Sequence, residues 1–210
     1  MAQQFSVSEA VKMGWRGTTK HFLFFVGMIV ILMVVSIAFQ LVVEAVNALP
    51  RPGMITLIAA LVAAAIQWVM ALGAIKIALT VLADQKPAMS MLFSEYRKLG
   101  SYAAAVIVYV VVVAIGLLLF VVPGIWLALR FHLFPYAVVD RNLSWGEALR
   151  FSDKITQGFK WRLVGFYIVI YVINILGVLA LGVGMLVTIP IALVATAAAY
   201  RMLADQSAST

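Results

Sequence analysis

The chain has 210 residues, of which 65% are hydrophobic and only 11% are charged. A soluble domain is closer to half apolar and a quarter charged, so a soluble globule of this length could not bury so much apolar surface. The composition excludes a cytosolic enzyme, a disordered regulator and a disulfide-bonded secreted domain, and predicts a protein that crosses a membrane several times. Because Cys is absent and only two His occur, we expect no metal site and no cofactor.

Six apolar segments are candidates for crossing a bilayer, which takes roughly 20 mainly apolar residues. In chain order they are residues 22–46, 54–82, 103–122, 125–139, 163–181 and 185–200. Long continuous apolar runs are typical of helices, whereas a membrane barrel shows short alternating segments. The first segment is longer than the core of a signal peptide, so we interpret it as a retained helix.

The basic residues are distributed unequally between the two sides of these spans. Twelve of the 15 Lys and Arg residues fall in the N-terminal segment, after spans two and four, or in the C-terminal tail, whereas the opposite loops hold only Arg51. Loops rich in Lys and Arg stay in the cytoplasm, so both termini are predicted to be cytoplasmic. These charges suit anionic lipid headgroups, and the lack of an extended basic domain argues against a nucleic-acid partner.

Each pair of spans follows a short segment that mixes apolar, basic and aromatic residues. We expect these three segments to be amphipathic helices on the cytoplasmic membrane surface: residues 5–18, 89–99 and 144–158. The first and third share a Ser, then Glu-Ala, an aliphatic residue and a base, and the second is a looser match. Four aromatic residues are expected at the headgroup level: Trp15, Tyr96, Trp145 and Trp161.

The spans of each pair are joined by short segments that contain Pro or Gly. These predicted turns are residues 50–53, 122–124 and 182–184. The fold class predicted is an all-α membrane protein with six transmembrane helices as three helical hairpins, each preceded by a cytoplasmic amphipathic interfacial helix. The loose repeat units are 5–82, 88–140 and 144–203, within a single membrane domain that covers 1–210. The alternative is that any helical hairpin needs such turns and basic flanks, without a repeat.

Polar side chains inside a span are costly in lipid, so each is a candidate functional residue. Arg130 is the strongest candidate because it lies roughly 9 Å along its helix from Gly124. Pro135 predicts a break in the same helix. Broken helices with polar residues occur at transporter substrate sites. The candidate intramembrane cluster comprises Arg130, His132, Gln67, Asn174 and Glu44. The alternative is structural: Arg130 pairs with Glu44, and the amides hydrogen-bond across helices.

A distinctive stretch begins at Pro123 with Pro-Gly-Ile-Trp-Leu-Ala-Leu-Arg-Phe and continues from Phe134 with Phe-Pro-Tyr-Ala-Val-Val-Asp. It is followed by Ser144, Glu147-Ala148-Leu149, Ser152 and Gly158. Together these residues resemble the membrane domain attached to some bacterial glycerophosphoryl diester phosphodiesterases, and related uncharacterised small integral membrane proteins. The resemblance implies six helices and a bacterial cytoplasmic membrane. In those enzymes a separate soluble barrel performs the chemistry, and this chain has no room for one.

The sequence carries no Ser-hydrolase elbow, zinc-peptidase helix or Walker loop, and Glu44 is the only acid within a predicted span. We therefore expect a non-enzymatic polytopic protein of the bacterial inner membrane that acts as a scaffold, assembly or lipid-organising component. Its expected partners are membrane lipids and either another membrane protein or a second copy of the chain. The alternative function is a small transporter or channel-like protein with an anion-attracting polar site around Arg130.

Overall fold

The computed structural model describes residues 5–48, 53–180 and 182–208, and within these ranges it contains helices and connecting turns but no strand. The α-helices are α1 (Val7–Lys20), α2 (Phe22–Asn47), α3 (Gly53–Leu82), α4 (Leu99–Leu119), α5 (Val121–Phe131), α6 (Phe134–Arg141), α7 (Trp145–Thr156), α8 (Lys160–Leu179) and α9 (Met185–Ala208). Two short 3-10 turns, Met89–Phe93 and Tyr96–Lys98, precede α4.

Six segments of the described chain are long and apolar enough to cross a membrane. They are Phe22–Asn47, Gly53–Leu82, Met89–Leu119, Val121–Arg141, Lys160–Leu179 and Met185–Ser207. Each contains or largely overlaps one of the six predicted spans, which confirms the expectation of a multi-pass, all-helical membrane protein.

The fourth span is divided into two helices. α5 ends at Phe131 and α6 begins at Phe134, so the predicted break is present and lies at His132 and Leu133. Pro135 is the second residue of α6, where its missing amide hydrogen removes no intrahelical hydrogen bond.

The reversal between α4 and α5 lies at Phe120, and the predicted turn at residues 122–124 is wrong. Phe120 has an extended backbone with φ −159° and ψ 140°, and α5 begins at the next residue. Pro123 fits the first turn of α5 because amide hydrogens there have no intrahelical acceptor. Gly124 then faces α4, where an added Cβ would lie 2.7 Å from the backbone nitrogen of Leu117.

The other two predicted turns are described only in part. Residues 50–52, and Arg51 with them, lie outside the described ranges, as does residue 181. Gly182 has a φ of +76°, a conformation that favours Gly over any residue with a Cβ. The chain therefore turns at this Gly before α9 begins.

α1 packs along α9 through small residues. Ala10, Gly14 and Thr18 recur every four residues and are buried, while Lys12 and Arg16 are exposed on the other side of the helix. A Cβ on Gly14 would lie 2.7 Å from the carbonyl oxygen of Ile191 in α9. The buried face of α1 is thus covered by a spanning helix.

The core lies around α9 and the second half of α3. The alanines at 197–199 in α9 are buried, together with Tyr200, whose hydroxyl donates to Asp140 Oδ2 at 3.1 Å. In α3, buried residues run from Leu72 to Val81, whereas most of its first half is exposed. The 3-10 turn that begins at Met89 packs against the buried half of α3.

Candidate functional site

Arg130, the leading sequence candidate, lies at the C-terminal end of α5 and forms an ion pair with Asp153 of α7. Its Nη2 donates to Asp153 Oδ2 at 2.6 Å, and its Nε donates to Oδ1. The Arg130 side chain is 38% exposed and that of Asp153 is 20% exposed. Two parallel hydrogen bonds between a guanidinium and a carboxylate fix both side chains in one geometry.

This pair replaces the expected pair of Arg130 with Glu44. Glu44 is exposed on α2, whereas α7 packs directly against α5 and brings the carboxylate of Asp153 to Arg130. The hydrogen bonds from Arg130 lower the pKa of Asp153 below its usual range, and the positive charge of the guanidinium lowers it further. Asp153 therefore carries its negative charge at neutral pH.

Two hydroxyl groups of α7 complete the junction between α5 and α7. Ser152 Oγ donates to the carbonyl oxygen of Arg130 at 3.0 Å, and Thr156 Oγ1 donates to the same oxygen at 3.1 Å. Carbonyls in the last turn of a helix lack intrahelical partners, and α5 ends one residue later. Side chains of α7 thus hydrogen-bond to the carbonyl oxygen at the end of α5 and also bind the Arg130 guanidinium.

The start of α7 is fixed by a capping box. The backbone N–H of Ser144 donates to Glu147 Oε2 at 3.0 Å, and the Ser144 hydroxyl donates to the same oxygen at 2.7 Å. The two hydrogen bonds from Ser144 lower the pKa of Glu147. Ser144 and Glu147 thus cap the start of α7, whereas Ser6 at the start of α1 makes no side-chain cap.

His132, the second sequence candidate, lies on the wall of a cavity. The cavity has a volume of about 500 Å³ and lies between α2, α3, α4, α6 and α9. Its buried end includes Met28, Ala74 and Ile75, whereas His132 and Val110 are exposed at its mouth. The residues described on its wall include no Asp, Glu, Lys or Arg, so the wall is apolar except for His132 and three tyrosines.

Three of these four polar side chains have no hydrogen-bond partner among the residues that the structure describes. The Tyr136 hydroxyl donates to a backbone carbonyl of α9 at 3.5 Å. Within the described part of the chain, no hydrogen bond joins the His132 ring, or the hydroxyls of Tyr102 and Tyr109, to another group. Those three groups remain available to a bound molecule.

Contacts between aromatic rings hold these side chains in place. His132 meets Tyr167 edge-on, with ring centroids 4.9 Å apart. Tyr102 and Tyr109 both pack against Phe134, at 5.8 and 5.6 Å between centroids. The break between α5 and α6 therefore places His132 and Phe134 beside the same cavity.

The remaining members of the predicted polar cluster lie elsewhere. Gln67 lines a separate groove with Ser36 and Gln40, between α2 and α3. Asn174 Nδ2 donates to the carbonyl of Ile170, in its own helix, at 2.9 Å. The five predicted residues are thus distributed over several places, and the expected single cluster is not formed.

A buried carboxylate fixes the segment before α4. Lys98 Nζ lies 2.8 Å from Glu95 Oε2, and Lys76 Nζ lies 3.8 Å from Glu95 Oε1. Lys98 also donates to the carbonyl of Val139, near the end of α6, at 2.7 Å. These contacts hold α4 and α6 together and thereby fix two walls of the cavity.

The predicted headgroup anchors are exposed in the structure. Trp15, Tyr96, Trp145 and Trp161 all present large ring areas. Lys160 Nζ lies 4.5 Å from the ring centroid of Trp126, and Trp126 meets Trp161 edge-on at 5.9 Å. The start of α8 thus packs a cation and an aromatic ring against Trp126 of α5.

No known protein family, curated protein or solved structure matches this chain. The resemblance of residues 123–158 to the phosphodiesterase-associated membrane domain therefore stays a prediction. Among the residues that the structure describes, no three His, Asp or Glu side chains come close enough to hold a metal ion. The spanning helices and the cavity are the observations from which a function can be inferred.

Proposed function

We propose that this chain is a non-enzymatic, multi-pass protein of the bacterial cytoplasmic membrane that binds and organises lipids. The observation that carries the proposal is the cavity of about 500 Å³ between the candidate spans. Apolar cavities with a few polar groups are typical ligand sites. Because the mouth residues Val110 and His132 belong to candidate spans, an apolar molecule would enter sideways from the bilayer. The resemblance of residues 123–158 to a bacterial membrane domain agrees with this proposal.

The exposed cations support an association with anionic headgroups. Lys12 and Arg16 lie on the exposed side of α1, and Arg150 and Lys154 are exposed on α7. Each Lys or Arg near an anionic membrane surface contributes about 1 kcal/mol of attraction. We propose that this surface is the cytoplasmic one.

We also propose the three-hairpin arrangement, with both termini in the cytoplasm. The contacts of α2 with α3, of α4 with α5 and of α8 with α9 support it. α1 and α7 each have a buried face and a basic exposed face, as expected of helices at the membrane surface. The segment before α4 departs from the pattern because it forms two 3-10 turns in place of one amphipathic helix.

Reporter fusions test this topology. Fusions after Val46 and Val122 are expected to report the outside, and fusions after Leu82, Val139 and Tyr200 the cytoplasm. The physical reason is the excess of Lys and Arg on one side of the spans. An alkaline-phosphatase and green-fluorescent-protein pair at each position gives opposite readouts and controls for expression. A cytoplasmic signal after Val46 would contradict the arrangement.

Filling the cavity tests the lipid-binding function. In native mass spectrometry from a mild detergent, the protein is expected to retain lipid. Ala74→Leu, on the buried wall of the cavity, is expected to reduce that retention at least fivefold, because the larger side chain occupies the binding volume. Ala60→Leu is the matched control, since Ala60 lies on an exposed part of the same helix. Equal retention by both variants would contradict the cavity as the lipid site.

A small transporter is the second candidate function. His132, which has no partner in the described ranges and lies beside a broken helix, favours it. Arg130 already binds Asp153 and does not line the cavity. Proteoliposomes loaded with labelled inorganic phosphate distinguish the two functions. Phosphate release above that of protein-free vesicles, lost in His132→Phe, would favour transport over lipid organisation.

A further inference from the structure

We infer that the cavity binds an uncharged amphiphile whose hydroxyl or carbonyl group hydrogen-bonds to His132 and Tyr109 at the cavity mouth. The inference rests on the proposed lipid-binding function and specifies the chemical class of the ligand. Long-chain alcohols, and ring compounds with a carbonyl group, belong to this class.

The distribution of buried and exposed residues on the wall determines how such a ligand is oriented in the cavity. Met28, Ala74 and Ile75 are buried and line the inner part of the cavity, so they suit an apolar body. His132 is exposed at the mouth, and the half-buried Tyr109 packs its ring against Phe134, two residues after His132. The apolar part of a bound molecule would lie inside, with its oxygen at the mouth.

Three hydrogen-bonding groups on the wall lack partners within the described chain: the His132 ring and the hydroxyls of Tyr102 and Tyr109. A neutral imidazole has one donor and one acceptor nitrogen, and a Tyr hydroxyl can both donate and accept. In hydrocarbon no water satisfies such groups, so leaving them unpaired costs free energy. A ligand oxygen at the mouth removes part of that cost, whereas a pure hydrocarbon does not.

The absence of formal charge on the described wall favours an uncharged ligand. A carboxylate or phosphate buried without a counter-ion loses its hydration without compensation. The cation closest to His132 in the sequence, Arg130, is occupied by the bidentate contact with Asp153. An anionic headgroup would therefore find no counter-ion on the described wall.

Three probes with the same chain length test the inference: tetradecan-1-ol, tetradecane and tetradecanoate. Each is added to the full-length protein at the same micellar mole fraction, and retention is measured by native mass spectrometry. The alcohol is expected to be retained about tenfold more than the alkane, as one added hydrogen bond of about 1.4 kcal/mol predicts. Tetradecanoate is expected to be retained less than the alcohol.

Tyr109→Phe and His132→Phe keep an aromatic ring in place and remove the hydrogen-bonding atoms. Each is expected to reduce the ratio of alcohol to alkane retention severalfold, while the control Tyr171→Phe, on an exposed part of α8, leaves it unchanged. A circular-dichroism melt of each variant verifies that it is folded.

The possible outcomes separate this inference from the proposed function. Equal retention of alcohol and alkane, both lost in Ala74→Leu, would overturn the inference and leave the lipid-binding function standing. Preferred retention of tetradecanoate would overturn the assignment to uncharged ligands. An alcohol preference that survives both Phe variants would overturn the roles of His132 and Tyr109. Failure to retain any probe or native lipid would overturn the function and the inference together.

Discussion

Gly73→Ala is expected to lower the free energy of unfolding by about 3 kcal/mol, because the added methyl group would overpack against a fixed backbone. A Cβ on Gly73 would lie 2.2 Å from the carbonyl oxygen of Leu92 and 2.4 Å from its Cα. Both atoms belong to the backbone, and Leu92 and the neighbouring Leu72 are buried, so neither segment can shift without disturbing the core. Equilibrium unfolding in mixed micelles measures the change.

Gly165→Ala is the matched control. Gly165 lies within α8, and apart from the backbone of its own helix and its two chain neighbours, no atom lies within 4 Å of the Cβ that the substitution would add. Since Ala is favoured over Gly in a helix, we expect this variant to be as stable as the parent protein, or more stable by up to about 1 kcal/mol. Similar losses in the two variants would show that the approach of Leu92 to Gly73 does not limit stability.

Removing one partner of the Arg130–Asp153 pair is expected to destabilise the protein by roughly 1–3 kcal/mol, because the other charge is left in a partly buried position without its hydrogen bonds. In a double-mutant cycle with Arg130→Leu and Asp153→Leu, the double variant is expected to lose less than the sum of the single losses. The difference is expected to be about 1 kcal/mol, allowing for the partial exposure of Arg130.

The pair formed by Lys20 and Asp84 provides the control for this cycle. Both side chains are well exposed, so solvent screens their interaction, and we expect Asp84→Asn to change stability little. A coupling energy of zero between Arg130 and Asp153, or a loss of stability in Asp153→Leu no larger than that in Asp84→Asn, would show that the junction of α5 and α7 does not depend on this ion pair.

The same pair predicts a dependence of stability on pH. Because Arg130 lowers the pKa of Asp153 in the folded state, the contribution of the pair is fully present above the unfolded-state pKa of Asp. It is lost as the pH falls through the lower, folded-state pKa. The stability difference between the parent protein and Asp153→Asn is therefore expected to be constant near neutral pH and to shrink below about pH 4. A difference that grows on acidification would contradict this assignment.

The spanning helices could be predicted from the sequence because long uncharged runs such as residues 22–43 have few other stable structures in lipid. The break in the fourth span could also be predicted, since Pro135 cannot donate a helical hydrogen bond. The position of the reversal between α4 and α5 could not be predicted from the sequence. Pro123 is compatible both with a turn and with the first turn of a helix, and only the packing of Gly124 against α4 decides between them.

The candidate site was predicted only in part. Arg130 and His132 could be selected because polar residues in a span are costly, but their surroundings could not be read from local patterns. Asp153 lies in a segment interpreted as interfacial, and only the packing of α7 against α5 brings it to Arg130. One signal was present: Ser152 and Thr156 place two hydroxyls on one face of α7, beside Asp153. Tyr102 and Tyr109 carried no comparable signal, because aromatic residues in a span face lipid and protein alike.

The position of Asp153 in the chain also determines when the fourth span can be completed during synthesis. Asp153 follows Arg130 by 23 residues, so the whole of α5 and α6 is made before the carboxylate that neutralises Arg130. An Arg within a span opposes membrane insertion, by up to roughly 2.5–3.5 kcal/mol at the span centre. The nascent fourth span therefore carries an uncompensated charge until α7 has been made, and its final placement depends on the segment that follows it.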